Sequence, residues 1–331
     1  MTGRRRTPAG SRPQGPLRNV LHGTETGGAE TMTDPPVVLT ETEVRAMLPI
    51  GDAVPVVRGA LVAHAAGAVT QPGRWRLRTS RTRVDVTGAH VHGGEHFTAR
   101  LATPASGLSV VGDADGRPSV IVLDDGYLGD VRTAAAGALA ADALARPGAA
   151  TVALLGTGPL AELHLEALLA LRAPSELRVA GPPDAAFASR MRALHGWTVT
   201  HADAPADAVR GADIVVTHAP APSVRGEWLA PGAHVTCLGP DGHRALTASV
   251  LEAAALVAAD DLPRSRHLRD LGHPADLRLV LLGDVLTGRS RAPRDRTTVA
   301  DLTGLGAADA APGARVALIT RAITGAVLPS A

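Results

Sequence analysis

The chain has 331 residues, of which 45% are hydrophobic and 20% charged, and its formal net charge is +1. This composition is typical of a globular protein with room for two domains, and it favours no nucleic-acid partner. No run approaches the about 20 apolar residues of a membrane span, so we expect no membrane partner. All 33 basic residues are arginines, which excludes chemistry through a lysine Schiff base or a Walker-type lysine. The single cysteine, Cys237, cannot form an internal disulfide, so we expect a cytoplasmic protein.

Residues 1–34 are rich in Gly, Pro, Thr and Arg and show no apolar periodicity. A segment of this composition cannot bury enough surface to offset its ordering entropy, so we predict a disordered leader. It lacks the apolar core of a secretory signal. Met32 offers a second translation start.

The next part of the chain, 35–146, mixes helices with β-rich runs. A short strand at VVLT precedes a helix that Thr40 caps, with a glutamate-rich first turn, and a second helix starts near Gly51. The runs QPGRWRLRTSRTRVDV and GLSVVGDADGRPSVIVLDD, with Gly and Asp turns, indicate strands. An alanine-rich helix over 133–145 then ends at Arg-Pro-Gly, which marks a domain boundary.

Strands and helices alternate from residue 147 onward. TVALLG, ELRVAG, WTVTHAD, ADIVVTHA, HVTCLG and ALVAAD are apolar strands, and helices separate several of them. Near-continuous apolar strands of this kind predict a parallel sheet covered by helices on both faces. From about residue 262 we expect a mixed, arginine-rich helical stretch, followed by a closing apolar helix at ARVALITRAI.

A glycine-rich turn joins the first of these strands to its helix. Gly156, Gly158 and Ala161 form a GxGxxA pattern, in which the first glycine permits a tight turn, the second lets a pyrophosphate approach and the small third residue packs helix on sheet. The helix N-terminus would face the phosphates. We therefore predict a dinucleotide site; the alternative is a purely structural turn. The second strand ends at Gly181 with neither an acid nor an adjacent arginine, so the choice between NAD and NADP stays open.

Five segments in register, VRTAAAGALAADALA, the GTG turn, ADIVVTHAP, GEWLAPGAHVTCLGPDG and DLTGLGAADAA, resemble the ornithine cyclodeaminase and mu-crystallin family over about residues 37–325. The resemblance implies an α/β protein with a Rossmann-type doubly wound parallel sheet over 147–304. It also implies a second, smaller α+β domain for substrate binding and dimerisation, formed by 35–146 with 305–331, and hence a homodimer.

The family works on the α-carbon of small amino acids with NAD or NADP. The resemblance therefore implies an NAD(P)-dependent oxidoreductase acting on a small amino or imino acid, as a dehydrogenase or ketimine reductase. Two alternatives are a redox-neutral amino-acid cyclodeaminase, an ammonia-lyase with bound NAD, and a non-catalytic ligand-binding member. The substrate and the direction of reaction are left open.

Several side chains match the family's functional positions. Asp241, after the HVTCLG strand, matches the catalytic acid; a simple turn aspartate is the alternative. Arg74 and Arg132 resemble the carboxylate-binding pair, since a guanidinium meets a carboxylate through two parallel hydrogen bonds. Arg100 and Arg244 stand where the family has lysines, which keeps the charge but loses proton transfer. Thr303 completes the implied substrate contacts. The implied cofactor contacts are Gly156, Thr157, Gly158, Pro159, Leu160, Ala161, Gly181, Thr217, His218, Leu238, Gly239 and Leu302.

Three histidines, His90, His92 and His96, stand close together in GAHVHGGEHF. They could contact substrate, relay protons or lie in solvent, and we predict no metal site because the family needs none. In HVTCLGPDGHR, His234 and Cys237 fall within an apolar strand, so we assign neither a catalytic role.

Overall fold

The computed structural model describes residues 35–104, 106–181, 185–217, 224–238, 246–266, 268 and 277–325. From residue 36 onward these belong to one compact unit that contains two β-sheets. Among the described residues no single helix is long and apolar enough to cross a membrane. Only the first two helices together, bent by 80°, reach that length and composition.

The first sheet is formed by the chain between residues 37 and 123. Its order is β1-β7-β6-β5-β4-β2, with β3 also paired to β4, and the pairs are antiparallel except for β1 with β7. The elements are β1 (Val37–Thr40), α1 (Glu41–Met47), α2 (Ile50–Ala65), β2 (Val69–Thr70), β3 (Trp75–Arg78), β4 (Arg83–Val91), β5 (His96–Thr103), β6 (Ser106–Asp113) and β7 (Pro118–Leu123).

The two faces of this sheet differ. Successive side chains of a strand point to opposite faces, and in β5 the residues His96, Thr98 and Arg100 are buried while Leu101 is exposed. Helix α2 and the C-terminal helix α9 (Gly306–Thr324) lie together, and α9 covers β4 and β5. Arg100 therefore points to the covered face. At the sheet's first strand, the Glu43 carboxylate accepts the Thr40 backbone N–H at 2.8 Å, which confirms the predicted helix cap.

The alanine-rich helix α3 (Tyr127–Leu144) follows the first sheet. It begins six residues before the predicted start, after Gly126, whose φ of +96° favours glycine. It is buried on almost every side, against α2 and against α4 (Pro159–Leu169). The small side chains allow this close approach, and at Gly137 an added Cβ would lie 2.5 Å from Leu238 and 2.8 Å from His164.

The second sheet confirms the predicted parallel sheet. All its described pairs are parallel, in the order β10-β9-β8-β11-β12-β15-β13-β14. The remaining elements are β8 (Thr151–Leu155), β9 (Glu176–Ala180), α5 (Ala185–His195), β10 (Thr198–Ala202), α6 (Pro205–Val209), β11 (Ile214–Thr217), β12 (His234–Cys237), α7 (Ala248–Ala253), β13 (Ala254–Ala259), β14 (Leu279–Leu281), α8 (Leu282–Leu286) and β15 (Thr297–Asp301), with 3-10 turns at Gly226–Trp228 and Arg264–Arg266.

The arginine-rich stretch predicted to be helical from about residue 262 is partly helical in its described residues, which include the 3-10 turn Arg264–Arg266 and helix α8, and it also contains the strand β14. The segment that follows it, TVADLTGLGAADAA, begins within β15, which lies inside the sheet between β12 and β13 with all five residues buried. The sequence TTVAD is short, and nothing local distinguishes a buried strand from a helix start. The neighbouring strands β12 and β13 supply the hydrogen bonds that make this segment a strand.

His234, at the start of β12, is fully buried. Its two ring nitrogens lie 2.9 Å from the hydroxyls of Thr298 and Thr236, so the ring bridges β12 and β15. Burial lowers the pKa of His234 to about 3, with Arg172 and His164 acting in the same direction. The ring is therefore neutral and structural at physiological pH, as the apolar strand around it indicates.

The buried ring predicts a specific acid sensitivity. Between pH 6.5 and about 3 the unfolded chain binds a proton at His234 that the folded protein does not, so the free energy of unfolding falls as the pH falls. One proton corresponds to a slope of about 1.4 kcal/mol per pH unit. Denaturant titrations across this range measure how the free energy of unfolding depends on pH. For His234→Gln this dependence should be less steep than for the parent by about 1.4 kcal/mol per pH unit. His201→Gln, at an exposed site, should keep the parent slope, and equal slopes for parent and His234→Gln would contradict the assignment.

Candidate active site

The glycine turn lies at the carboxyl end of β8. Gly156 and Gly158 have φ values of +103° and +130°, which are favourable for glycine alone, and Gly158 precedes Pro159, the first residue of α4. A Cβ on Gly158 would meet nothing within 4 Å, so the space above the turn is open. Ala161 is fully buried between helix and sheet. The three small residues thus lie in a strand–turn–helix arrangement that suits a pyrophosphate, and their contact with a cofactor stays a prediction.

Other predicted cofactor residues line the same edge. Thr217 ends β11, Leu238 follows β12 and Leu302 follows β15, and these strands lie side by side next to β8. The Leu238 N–H donates to the Thr217 carbonyl at 2.9 Å, which continues the ladder past β12. Gly181, after β9, packs against the glycine turn, where its Cβ would lie 3.4 Å from Gly156 Cα. The carboxyl edge of a parallel sheet is where ligands of such folds bind.

Four predicted site residues lie outside the described part of the chain: Asp241, Arg244, His218 and Gly239.

A cavity of about 270 Å³ is lined by residues of the first sheet, by residues of α3 and by Leu160, the second residue of α4. Arg74, Arg100 and Arg132, three of the predicted substrate residues, line it together with Leu160 of the nucleotide helix α4. Further lining residues are Arg83, Asp85, Thr87, Ala102, Thr103, Pro104, Ser106, Asp125, Gly126, Gly129, Asp130, Thr133 and Asp309. The cavity therefore brings cationic side chains next to the first turn of a helix suited to phosphate binding.

Arg74 and Arg132 converge on Gly304. An added Cβ there would lie 2.7 Å from a terminal nitrogen of Arg74 and 3.0 Å from one of Arg132. Arg132 pairs with Asp309 at 2.8 Å. Arg74 pairs with no carboxylate among the described residues, and its buried Nε has no hydrogen-bond partner. Burial, with Arg264 and Arg132 nearby, lowers the pKa of Arg74 to about 10, so the group stays charged at neutral pH. An incoming carboxylate would supply the partner that Arg74 lacks.

Arg100, in contrast, is bound by its own surroundings. Its guanidinium lies 3.0 Å from the Asp124 carboxylate and donates to Ser109 Oγ at 2.8 Å, and both charged side chains are buried. Gly107 leaves room for this pair, since any Cβ there would overlap both side chains. Its predicted contact with substrate stays a prediction, because the charge of Arg100 is already balanced.

Sequence reasoning missed Asp130. It lines the cavity from the first turns of α3 and forms no hydrogen bond or ion pair with a described residue. Burial raises the pKa of Asp130, although Arg132 opposes the shift. A carboxyl group of this kind can bind an ammonium group or hold a proton. The predicted helix began at residue 133 and therefore left Asp130 outside it. In the structure α3 begins at Tyr127, and Asp130 and Thr133 lie on one face of the helix.

Asp260 was missed as well. Asp260 directly follows β13 and is buried. Its carboxylate accepts hydrogen bonds from the backbone N–H groups of Thr303, at 3.1 Å, and Gly304, at 2.7 Å. Burial raises the pKa of Asp260 to about 6, with Arg132 and the Gly304 hydrogen bond acting in the other direction. Thr303, a predicted substrate contact, donates its hydroxyl to Asp260 at 3.3 Å.

The histidines of the β4–β5 hairpin lie away from the cavity lining. His90 contacts the His96 carbonyl at 3.2 Å, and His92 contacts the Thr70 hydroxyl at 2.9 Å. Burial lowers the pKa of His96. Within the described ranges, no group of three or more His, Cys, Asp or Glu side chains could hold a metal ion.

Comparison with known proteins identifies the family. A sequence model of the ornithine cyclodeaminase/mu-crystallin family matches residues 35–317. The chain belongs to that family. The resemblance seen in the sequence motifs is thereby confirmed over nearly the whole of the range predicted for it.

Similar family members carry different names. A Rhizobium meliloti protein provisionally named a dehydrogenase is 37% identical over 83% of this chain and 92% of its own length. A Sinorhizobium fredii protein named an uncharacterized cyclodeaminase is 34% identical with the same coverage. A Bordetella pertussis protein provisionally described as an ornithine cyclodeaminase has a crystal structure that superposes with a TM-score of 0.81, at 26% identity, over 89% of this chain and 100% of that one. The comparisons fix the fold and the family, and the reaction depends on the site.

The buried Arg100–Asp124 pair makes a stability prediction. Removing one partner leaves an uncompensated buried charge, so Asp124→Asn should lower the free energy of unfolding by about 3–5 kcal/mol. Asp115→Asn is the matched control, because Asp115 pairs with Arg117 at 3.9 Å in solvent, where such a pair contributes about 0–1 kcal/mol. Chemical denaturation measures both. A loss below about 1 kcal/mol for Asp124→Asn would leave Arg100 free for a ligand.

Proposed function

We propose that this family member is an NAD(P)-dependent oxidoreductase acting at the α-carbon of a small amino or imino acid, as a dehydrogenase or ketimine reductase. The observation that carries the proposal is the cavity in which Arg74 and Arg132 lie beside Leu160 of the nucleotide helix. A carboxylate site whose cavity reaches the first turn of the helix that follows the glycine turn fits a substrate held by its carboxylate close to the cofactor.

The proposed cofactor is NAD or NADP, held at the turn of Gly156 and Gly158 and along the carboxyl ends of β11, β12 and β15. The open space above Gly158 and the free amides at the start of α4 fit a pyrophosphate. When bound, the nicotinamide would take up or deliver the hydride at the α-carbon.

The protein's own groups have separate proposed roles. Arg74, assisted by Arg132, binds the substrate carboxylate and orients the α-carbon. Asp130 offers a negative charge for a substrate ammonium or iminium group. Asp241, matched through the family resemblance, is the proposed catalytic acid and base. None of the arginines can exchange protons at a working pH, so among the described lining residues we assign that task to carboxyl groups.

A second candidate is a redox-neutral cyclodeaminase with retained NAD. The 34% identical relative named as a cyclodeaminase favours it, as does Asp130, which gives the cavity a carboxylate for a second ammonium group. Ammonia released from a diamino acid without net change in nicotinamide absorbance would select this candidate over the first.

We also propose two domains, 35–146 with 305–331 for substrate and dimerisation, and 147–304 for the dinucleotide, in a cytoplasmic homodimer. The described strands of the first sheet all precede residue 124, those of the second lie within 151–301, and α9 packs back on the first sheet. This distribution supports the division. The cytoplasmic location rests on the lone cysteine.

The dimer proposal rests on the uncovered face of the first sheet. Paired residues of neighbouring strands share a face, and the chain of pairs Trp75–Val86–Leu101–Leu108–Leu123 runs across five strands. Trp75, Leu101 and Leu123 are 70%, 39% and 48% exposed. A contiguous apolar strip of this kind is characteristic of an interface.

The enzymatic proposal predicts reduced-nicotinamide oxidation with small 2-oxo acids plus an amine, or with cyclic imino acids. Arg74→Gln should raise the KM for the carboxylate substrate by about 10- to 100-fold, the loss of a charge-assisted hydrogen bond worth about 1.5–3 kcal/mol. Its affinity for NAD(P)H, followed by nucleotide fluorescence, should not change. Arg78→Gln removes an exposed charge at the end of β3, the strand that follows Arg74, and should leave the KM as it is.

The same assay includes Asp241→Asn, which should lose most turnover while still binding nucleotide. A parent protein that binds no NAD(P)H, or oxidises none across the substrate panel, would rule out the oxidoreductase.

The dimer proposal predicts twice the chain mass in sedimentation equilibrium. A charge on the strip, introduced by Leu101→Glu, should shift the protein to the monomer, because it would bury an unpaired carboxylate at the interface. Leu279→Glu, at a similarly exposed leucine of the second sheet (38%), should leave the mass unchanged. A monomeric parent would contradict the proposal.

A further inference from the structure

The turn that follows β15 is held from two sides. On one side the Asp260 carboxylate accepts two consecutive backbone N–H groups, those of Thr303 and Gly304, at 3.1 and 2.7 Å. On the other side Arg264 donates to the Gly304 carbonyl. Both groups come from the segment directly after β13. The backbone at Gly304 is therefore fixed by side chains of the second sheet.

Gly304 is also the surface against which the two arginines pack. Its φ of +97° is favourable for glycine alone. The terminal nitrogens of Arg74 and Arg132 approach so closely that an added Cβ would lie 2.7 to 3.1 Å from them. A displacement of the turn by a fraction of an ångström would move both guanidinium groups, since there is no free space between them and the backbone.

The burial of the Asp260 carboxylate carries a desolvation cost in folding free energy. The carboxylate is buried, the hydrogen bonds it accepts from described residues all come from neutral groups, and burial raises its pKa to about 6, within reach of protonation under mild acid. Arg132 is the first of the charges that oppose this shift, so the two groups sense each other electrostatically. A buried charge that stabilises the fold poorly suggests a role in geometry or function.

We infer that Asp260 is a positioning residue, which sets the spacing of Arg74 and Arg132 for a substrate carboxylate by fixing the turn at Thr303 and Gly304. The inference rests on the proposed function in one respect, that this arginine pair binds the carboxylate. It links the nucleotide-binding sheet to the substrate-binding arginines through a single backbone turn.

Asp213 provides a matched control within the same sheet. Its carboxylate also accepts two consecutive backbone N–H groups, of Ala150 and Thr151, at 2.8 and 3.0 Å, and it pairs with Arg146. It stands at the amino end of β11, however, whereas Asp260 follows the carboxyl end of β13. Loss of either carboxylate removes the same kind of contact, but only one of them touches the turn behind the arginines.

The test compares Asp260→Asn with Asp213→Asn in the full-length protein. Calorimetry measures the Kd of pyruvate as a simple carboxylate probe, steady-state kinetics measures KM and kcat, and thermal unfolding measures stability. Asp260→Asn should raise the pyruvate Kd and the KM by at least about 10-fold with little change in kcat or in NAD(P)H affinity. Asp213→Asn should lower the unfolding temperature and leave the pyruvate Kd within about 2-fold of the parent.

A second variant covers the case in which Asp260→Asn does not fold. Gly304→Ala displaces the arginines from the opposite direction with the carboxylate intact and should weaken pyruvate binding by a similar factor. Gly116→Ala, with φ +84° and no neighbour within 4 Å, controls for backbone strain.

The possible outcomes distinguish a failure of the proposed reaction from a failure of the positioning role of Asp260. A parent that binds pyruvate without turnover, and loses binding in Asp260→Asn, defeats the proposed reaction and supports the positioning role. An active parent whose KM and pyruvate Kd are unchanged in Asp260→Asn, or changed equally in Asp213→Asn, overturns the positioning role alone. Absence of pyruvate binding in the parent overturns it too.

Discussion

The close packing of helix α3 is the constraint on which the site depends. The helix is buried on nearly all sides, and at Gly137 even a methyl group would overlap His164 of α4 and Leu238 at the edge of the second sheet. Because half of its residues are alanine or glycine, α2 and α4 can approach it at short distance. The first sheet and Leu160 at the start of α4 then border one cavity, to which α3 contributes Asp130 and Arg132.

The electrostatics of that cavity follow from the absence of lysine. Every cation in its wall is an arginine, whose charge does not change over any working pH, so the arginines can hold an anion but cannot move a proton. Three of them are balanced locally, Arg100 by Asp124, Arg132 by Asp309 and Arg83 by Asp85. Arg74 is the described lining arginine that combines burial with the lack of a carboxylate partner. The positive charge available to a ligand is thus concentrated at one point.

The sequence predicted those parts of the structure that local patterns determine. The apolar strands, the cap at Thr40 and the turn at Gly156 and Gly158 each depend on neighbours within a few residues, and they occur where expected. The roles of Asp260 and Asp130 could not be predicted from the sequence, because they depend on contacts between distant parts of the chain. Asp260 binds the backbone of Thr303, 43 positions away. Asp130 becomes a candidate site residue only because α3 lines the cavity. Arg100 was recognised as a candidate, but its partner Asp124 could not be inferred without the pairing of β5 with β6 and of β6 with β7.

The place of β15 in the second sheet has a consequence for biosynthesis. This strand, near the end of the chain, lies between β12 and β13, and both of its neighbours are made well before it. Until β15 has been synthesised, the edges of β12 and β13 that it later joins have no hydrogen-bond partner. Such open edges can pair wrongly with other chains. The sheet becomes continuous only when residues 297–301 insert, so its folding has high contact order and is slow to complete.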